Sequence, residues 1–139
     1  MTRWEQIIRD FQLAQRKFLV ILVCGGRDFD DEPVFDHIMD SLLRLNREDA
    51  SGFQIVIVHG GARGADTLAD RWAKSRGIPV VACPADWDKH KKAAGIIRNA
   101  EMLKKWHPHV VVAFPGGRGT AHMVSIARKA GVPVHEVDL

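Results

Sequence analysis

Arg27, Arg63 and Arg118 each stand inside a short glycine-rich stretch: Gly25-Gly26-Arg27-Asp28, Gly60-Gly61-Ala62-Arg63-Gly64-Ala65-Asp66 and Pro115-Gly116-Gly117-Arg118-Gly119-Thr120. Arginine carries a planar fork of donors that matches the oxygens of a phosphate or carboxylate. Glycine lets an anion approach backbone N–H groups that a side chain would shield. Together these residue types read as an anion cradle, above all for a phosphate. One such stretch reads equally well as a tight turn. Three of them, each closing an apolar run, argue for one shared site.

Other residues could complete that site. Arg98, in Ala94-Gly95-Ile96-Ile97-Arg98-Asn99, is flanked by apolar residues at a helix start, and its guanidinium is expected to point back at the ligand. Asp66 would cap its helix or contact the ligand. Asp86 and Trp87 offer a carboxylate and an aromatic plane for a ribose or base, or else pack within their loop. Thr120 is a helix-cap candidate whose hydroxyl could reach a phosphate. His59 and His122 flank glycine turns as general acid–base candidates, with a structural role as the alternative. The seven histidines show no metal-ligand spacing, so neither metal nor cofactor is expected. No Lys-Ser or Lys-Thr follows a glycine turn, which excludes a P-loop.

These residues need strands ending where the turns begin. Phe18 to Cys24, Phe53 to Val58, Ile78 to Cys83, His109 to Phe114 and Val132 to Val137 are apolar runs of strand length. Between them, Asp31 to Leu45, Gly64 to Arg76, Ala93 to Trp106 and Ala121 to Ala130 carry apolar residues at helical spacing. Arg47 to Gly52 and Pro84 to Lys92 read as polar loops. Such alternation predicts an α/β fold, a Rossmann-like three-layer αβα sandwich on a five-stranded parallel sheet of order 3-2-1-4-5. A flavodoxin-like order is the alternative. In the first order, the turns at Gly25 and Gly116 border the crevice and the turn at Gly60 lies one strand away. Residues 1–17 form an N-terminal helix, and residues 18–139 the domain.

The 139 residues suffice for one domain with a good core. The composition, 46% hydrophobic and 27% charged, is that of an ordinary globular protein. No apolar run approaches the roughly 20 residues of a membrane helix, and the N-terminus lacks a signal-peptide core. A cytoplasmic protein without a membrane partner is expected. The net charge of +3 suits a phosphorylated ligand. The basic residues form no continuous stripe with interleaved aromatics, which argues against a nucleic-acid partner. Cys24 and Cys83 end apolar runs and read as buried thiols. The stripe of Trp4, Ile7, Ile8 and Phe11 is more apolar than a free terminal helix requires, so a homo-oligomer, a dimer, is expected.

Val23-Cys24-Gly25-Gly26-Arg27-Asp28-Phe29, His59 to Asp66, Pro84-Ala85-Asp86-Trp87, Gly95 to Asn99 and Phe114 to Thr120 occur in one order over about residues 18 to 138. In this the chain resembles the YspA-type, YpsA-related branch of the SLOG superfamily. The resemblance implies a Rossmann-like domain that binds or processes a nucleotide or nucleotide derivative. The implied ligand-binding residues are Gly25, Gly26, Arg27, Gly60, Gly61, Gly64, Asp66, Asp86, Trp87, Arg98, Asn99, Pro115, Gly116, Gly117, Arg118, Gly119 and Thr120. The superfamily's "lonely guy" phosphoribohydrolases carry Pro-Gly-Gly-x-Gly-Thr-x-x-Glu with a catalytic glutamate, and their catalytic arginine corresponds to Arg98. In this chain the glutamate position holds Met123, whose thioether is no base. Binding or sensing of a nucleotide-like small molecule is therefore the first expectation. The alternative is hydrolysis of an N-glycosidic bond, with Asp86, Glu101 or His122 replacing the glutamate. Single-stranded DNA binding of the DprA kind is the third.

Overall fold

Strand β1, Phe18–Cys24, runs through the middle of the sheet, and four of its last five positions alternate between two apolar clusters. Both its neighbours are parallel, so strand β2, Gln54–His59, pairs on one side and β4, Val110–Ala113, on the other. Strands β3, Val80–Ala82, and β5, Val134–Glu136, form the edges. The computed structural model describes residues 5–7, 9–10, 18–49 and 54–139, with the side chains of 46–49 left aside. Its five strands follow the order 3-2-1-4-5 and are all parallel.

Side chains of a strand alternate between faces, so each face has its own core. Leu19, Ile21, Val23, Ile57 and Val112 pack under helices α1, Glu32–Asp49, and α2, Ala65–Ser75, through Phe35, Met39, Leu68 and Trp72. Leu22, Val58, Val111 and Ala113 pack on the opposite face. Helices α4, Ala94–Trp106, and α5, Arg118–Lys129, cover them through Met102, Met123 and Ala127. Phe114 closes the first core by stacking on Phe35, with ring centroids 4.4 Å apart. The chain crosses from β3 at one edge to β4 beside β1 by way of α4. The winding reverses there, and a crevice opens above the C-terminal ends of β1 and β4.

The structure differs from the sequence expectation at several boundaries. Helix α1 continues through Arg47–Asp49, where a loop was expected. The expected loop of Pro84 to Lys92 contains a helical turn, α3, Trp87–His90, and a 3₁₀ turn at Lys91–Ala93. Asp86 causes the first of these, because its carboxylate accepts the Lys89 N–H at 3.0 Å and caps the turn. Strands β3 and β5 are shorter than their apolar runs, since an edge strand has a ladder on one side only. Helix α5 begins at Arg118 rather than Ala121: Gly119 takes helical dihedrals, so three of the expected turn residues, Arg118, Gly119 and Thr120, belong to the first helical turn.

Residues 5–7 and 9–10 are helical, and Ile7 is buried in the first core. The other residues of the expected N-terminal stripe, Trp4, Ile8 and Phe11, lie outside the described residues. Among the described residues, no helix is long and apolar enough to cross a membrane.

Candidate functional site

The crevice has a volume of about 930 Å³. One wall is the turn between β4 and α5. Gly117 precedes α5 and offers no side-chain cap. The N–H groups of Arg118, Gly119 and Thr120 therefore have no intrahelical acceptor, and the positive end of the helix dipole lies beside them. Residues 115–119 are exposed. Thr120 is not the cap that the sequence suggested but a first-turn residue, with Oγ1 close to the space above Gly116. Met123, where related hydrolases place a glutamate, is fully buried in the core beneath α5.

The other two glycine turns are built differently. A Cβ on Gly25 would lie 2.5 Å from the Ala65 Cβ and 2.9 Å from the Phe114 Cβ. Gly26 N–H donates to the Pro115 carbonyl at 2.9 Å, and Gly26 accepts from Ala65 N. These glycines thus let β1, the start of α2 and the third turn approach one another. Gly64 has φ +79, and a Cβ there would strike the Gly26 carbonyl. In the second turn two of the N–H groups are already used. Gly61 N donates to His59 Nδ1 at 3.0 Å and Ala62 N to Asp66 Oδ2 at 3.2 Å. At the turn of Gly116–Thr120, the helix-start N–H groups of Arg118, Gly119 and Thr120 are uncommitted among the described residues.

Asp66 serves that second turn and does not cap α2, whose N-cap is Gly64. It is buried, and burial raises its carboxyl above the usual carboxylate range, against the turn's N–H groups, His59 and Arg98. His59, also buried, has its Nδ1 occupied by Gly61, so its proton sits on Nε2 and goes to Asp70 Oδ1 at 2.8 Å. It holds the turn and does not line the crevice.

Arg98, half-buried, reaches from α4 under the crevice. Its Nη1 donates to the Gly60 carbonyl and its Nε to Asn99 Oδ1 at 3.0 Å. Burial lowers its pKa, and the Asp66 carboxylate opposes that shift. Glu101, a candidate for the missing glutamate's role, is exposed and does not line the crevice. Asn99, buried, spends its two N–H donors on the Gly119 carbonyl and His122 Nδ1, each at 3.1 Å. His122 itself lines the crevice.

The wall facing α5 is apolar. Trp87 is 47% exposed and Ile96 56% exposed, and both line the crevice. Ile96 belongs to the apolar stripe of α4, which is broad enough that its outer edge overhangs the crevice. The Arg27 guanidinium lies 5.2 Å from the centre of the Trp87 ring. Gly95, from the Gly95 to Asn99 motif, lines the crevice, as do Lys92 and Met102, which the sequence did not mark as site residues. Asp86 does not line it, being turned to its capping role. Arg63 lies outside it and sits 3.7 Å from Asp28.

Cys24, on the crevice floor, is pushed up to about 12 by burial, which leaves its thiol protonated and inert at neutral pH. Cys83 is half-buried, and its thiol is raised in the same direction for the same reason.

The YspA, cpYpsA-related SLOG family matches this chain over residues 19–90. The Gene 61 protein of Mycobacterium phage D29 is 43% identical over 122 residues, which cover 82% of this chain and 92% of that protein. The X-ray structure of TM1055, a structural-genomics target, superimposes with a TM-score of 0.61 at 20% identity. The match covers 84% of this chain and 72% of TM1055 and marks a shared fold.

Proposed function

The chain belongs to the YspA, cpYpsA-related SLOG family, and on that premise we propose that it binds a nucleotide or nucleotide derivative in the crevice between β1 and β4. One observation carries the reading: the same crevice holds an uncapped helix start on one wall and the exposed Trp87 and Ile96 on the other. The phosphate sits on the N–H groups of Arg118 to Thr120, with the Thr120 hydroxyl and Arg118 beside it. The base lies against Trp87 and Ile96, where an aromatic face and an aliphatic edge lose water on contact. Arg98, held by Gly60 and Asn99, turns its remaining donors to the ligand's anionic or ribose oxygens.

Binding is favoured over hydrolysis by the carboxylates present. Asp66 is committed to the Gly60–Ala62 turn, the Asp28 side chain is fully solvated, and Asp86 caps its own turn. None of the three is placed as a free base over a sugar. Calorimetric titration with AMP and with adenosine tests the reading. AMP should bind more tightly by about tenfold or more, the contribution of charge-assisted hydrogen bonds to the phosphate. Equal affinities would remove the phosphate from the site.

A further inference from the structure

A second lobe of about 410 Å³ continues from the crevice past the Arg27–Trp87 contact. Arg27, Arg98 and Trp87 line both spaces, so the two are contiguous. The lobe's lining includes three arginines, Arg27, Arg63 and Arg98, and no carboxylate. The main crevice, by contrast, mixes cations with Asp28 and Asp66.

Among the described residues, the carboxylates that act on these guanidiniums are Asp28 beside Arg63 and the buried Asp66 beside Arg98, and neither lines the lobe. Arg63 is 3.7 Å from Asp28, but these side chains are 76% and 99% exposed, so water screens the pair. Arg27 rests on the Trp87 ring and makes no ion pair among the described residues. Arg98 spends Nε and Nη1 on Asn99 and Gly60 and keeps Nη2 uncommitted among the described residues. In the neighbouring turn the N–H groups of Gly61 and Ala62, which also line the lobe, are taken by His59 and Asp66. Any anion held here is held by arginine forks, which favour the oxygens of a phosphoryl group.

We infer that this lobe is a second anion subsite, and that the ligand carries two linked phosphoryl groups, as in a nucleoside diphosphate or a pyrophosphate-bridged ester. The inference rests on the nucleotide reading of the main crevice. One phosphoryl group lies at the start of α5, and the next faces Arg27, Arg63 and Arg98. Arg27 and Arg98, which line both spaces, lie between the two groups and offset their mutual repulsion.

Calorimetric titration of the wild type and of Arg63→Ala with AMP, ADP and ADP-ribose tests this. The wild type should bind ADP, ADP-ribose or both at least about tenfold more tightly than AMP, the worth of one more charge-assisted contact. Preference for ADP marks a terminal phosphate in the lobe, and preference for ADP-ribose an esterified one; either supports the inference. Arg63→Ala should collapse the ratio of diphosphate to monophosphate affinity. Because the Arg63 side chain is largely exposed, the variant should fold normally. Equal affinities for all three ligands, or a ratio that Arg63→Ala leaves unchanged, would overturn the second subsite while leaving the nucleotide reading intact. Failure of all three to bind would overturn both.

Discussion

Asn99 Nδ2 donates to His122 Nδ1 at 3.1 Å. The direction is fixed by the neighbours. Arg98 can only donate, so the atom it meets at 3.0 Å is the Asn99 oxygen. The Gly119 carbonyl can only accept, so it takes one amide hydrogen, and His122 Nδ1 takes the other. His122 Nδ1 is therefore an acceptor, and the ring proton sits on Nε2. Through this one amide, α4 is tied to the first turn of α5, the turn that receives the phosphate in our reading.

Loss of that amide should be felt in folding and in the histidine. Asn99→Ala removes a buried amide and its three hydrogen bonds, to Arg98, the Gly119 carbonyl and His122, at a cost of about 1–3 kcal/mol by chemical denaturation. In the wild type at neutral pH, nitrogen NMR should find His122 Nδ1 unprotonated. A protonated Nδ1 there would contradict the relay.

The glycines of the first two turns should be intolerant for steric reasons. Gly25→Ala would press a methyl on Ala65 and Phe114 and should destabilise by about 1–3 kcal/mol. Gly64→Ala adds a left-handed backbone penalty to a collision with the Gly26 carbonyl and should cost more. Thermal melts check the order. A Gly64→Ala variant as stable as the wild type would refute the close approach of the two turns.

Acid stability should depend on Asp40. Its carboxylate accepts Arg76 Nη2 at 2.8 Å and Trp72 Nε1 at 2.9 Å, joining α1 to α2 and the residue that follows it. The Arg76 hydrogen bond holds the Asp40 carboxyl below its usual value of 3.8. A depressed carboxylate contributes stability that is fully present above the unfolded value and is lost as pH falls through the folded one. Asp40→Asn should thus lower stability at pH 7 by about 1 kcal/mol, allowing for screening of a half-exposed pair, and flatten the acid limb below pH 3.8. Parallel acid limbs for the two proteins would contradict this.

Much of this fold was legible in the sequence. The repeated pattern of apolar run, glycine turn and helix marked the strand ends and a parallel sheet, because parallel strands buried on both faces read as unbroken apolar runs; periodicity left the order open between 3-2-1-4-5 and a flavodoxin-like one, and the sheet takes the first. The site was legible less evenly. Gly25, Gly64 and Gly117 look alike as letters, yet the first two make room for packing while the third opens a helix start. Which of these a glycine does depends on neighbours distant in sequence, Ala65 and Phe114 for Gly25. Ile96 and Met102 share one helical stripe, but one overhangs the crevice and the other is buried. Asn99 carried no periodic signal, since its role depends on Gly119 and His122 from another helix.

The central claim, that the uncapped start of α5 receives the ligand's phosphate, is tested most directly by calorimetric titration of Gly117→Asp with AMP. A Cβ on Gly117 meets nothing within 4 Å, so an aspartate side chain has room beside the first turn. Aspartate at an N-cap accepts the first-turn N–H groups itself and should leave the melting temperature equal or higher, by about a few tenths of a kcal/mol in helix stability. The same carboxylate occupies the anion's donors and repels its charge. The account predicts a folded, slightly stabilised protein whose affinity for AMP falls by at least about tenfold. A folded Gly117→Asp protein that binds AMP as tightly as the wild type would contradict it.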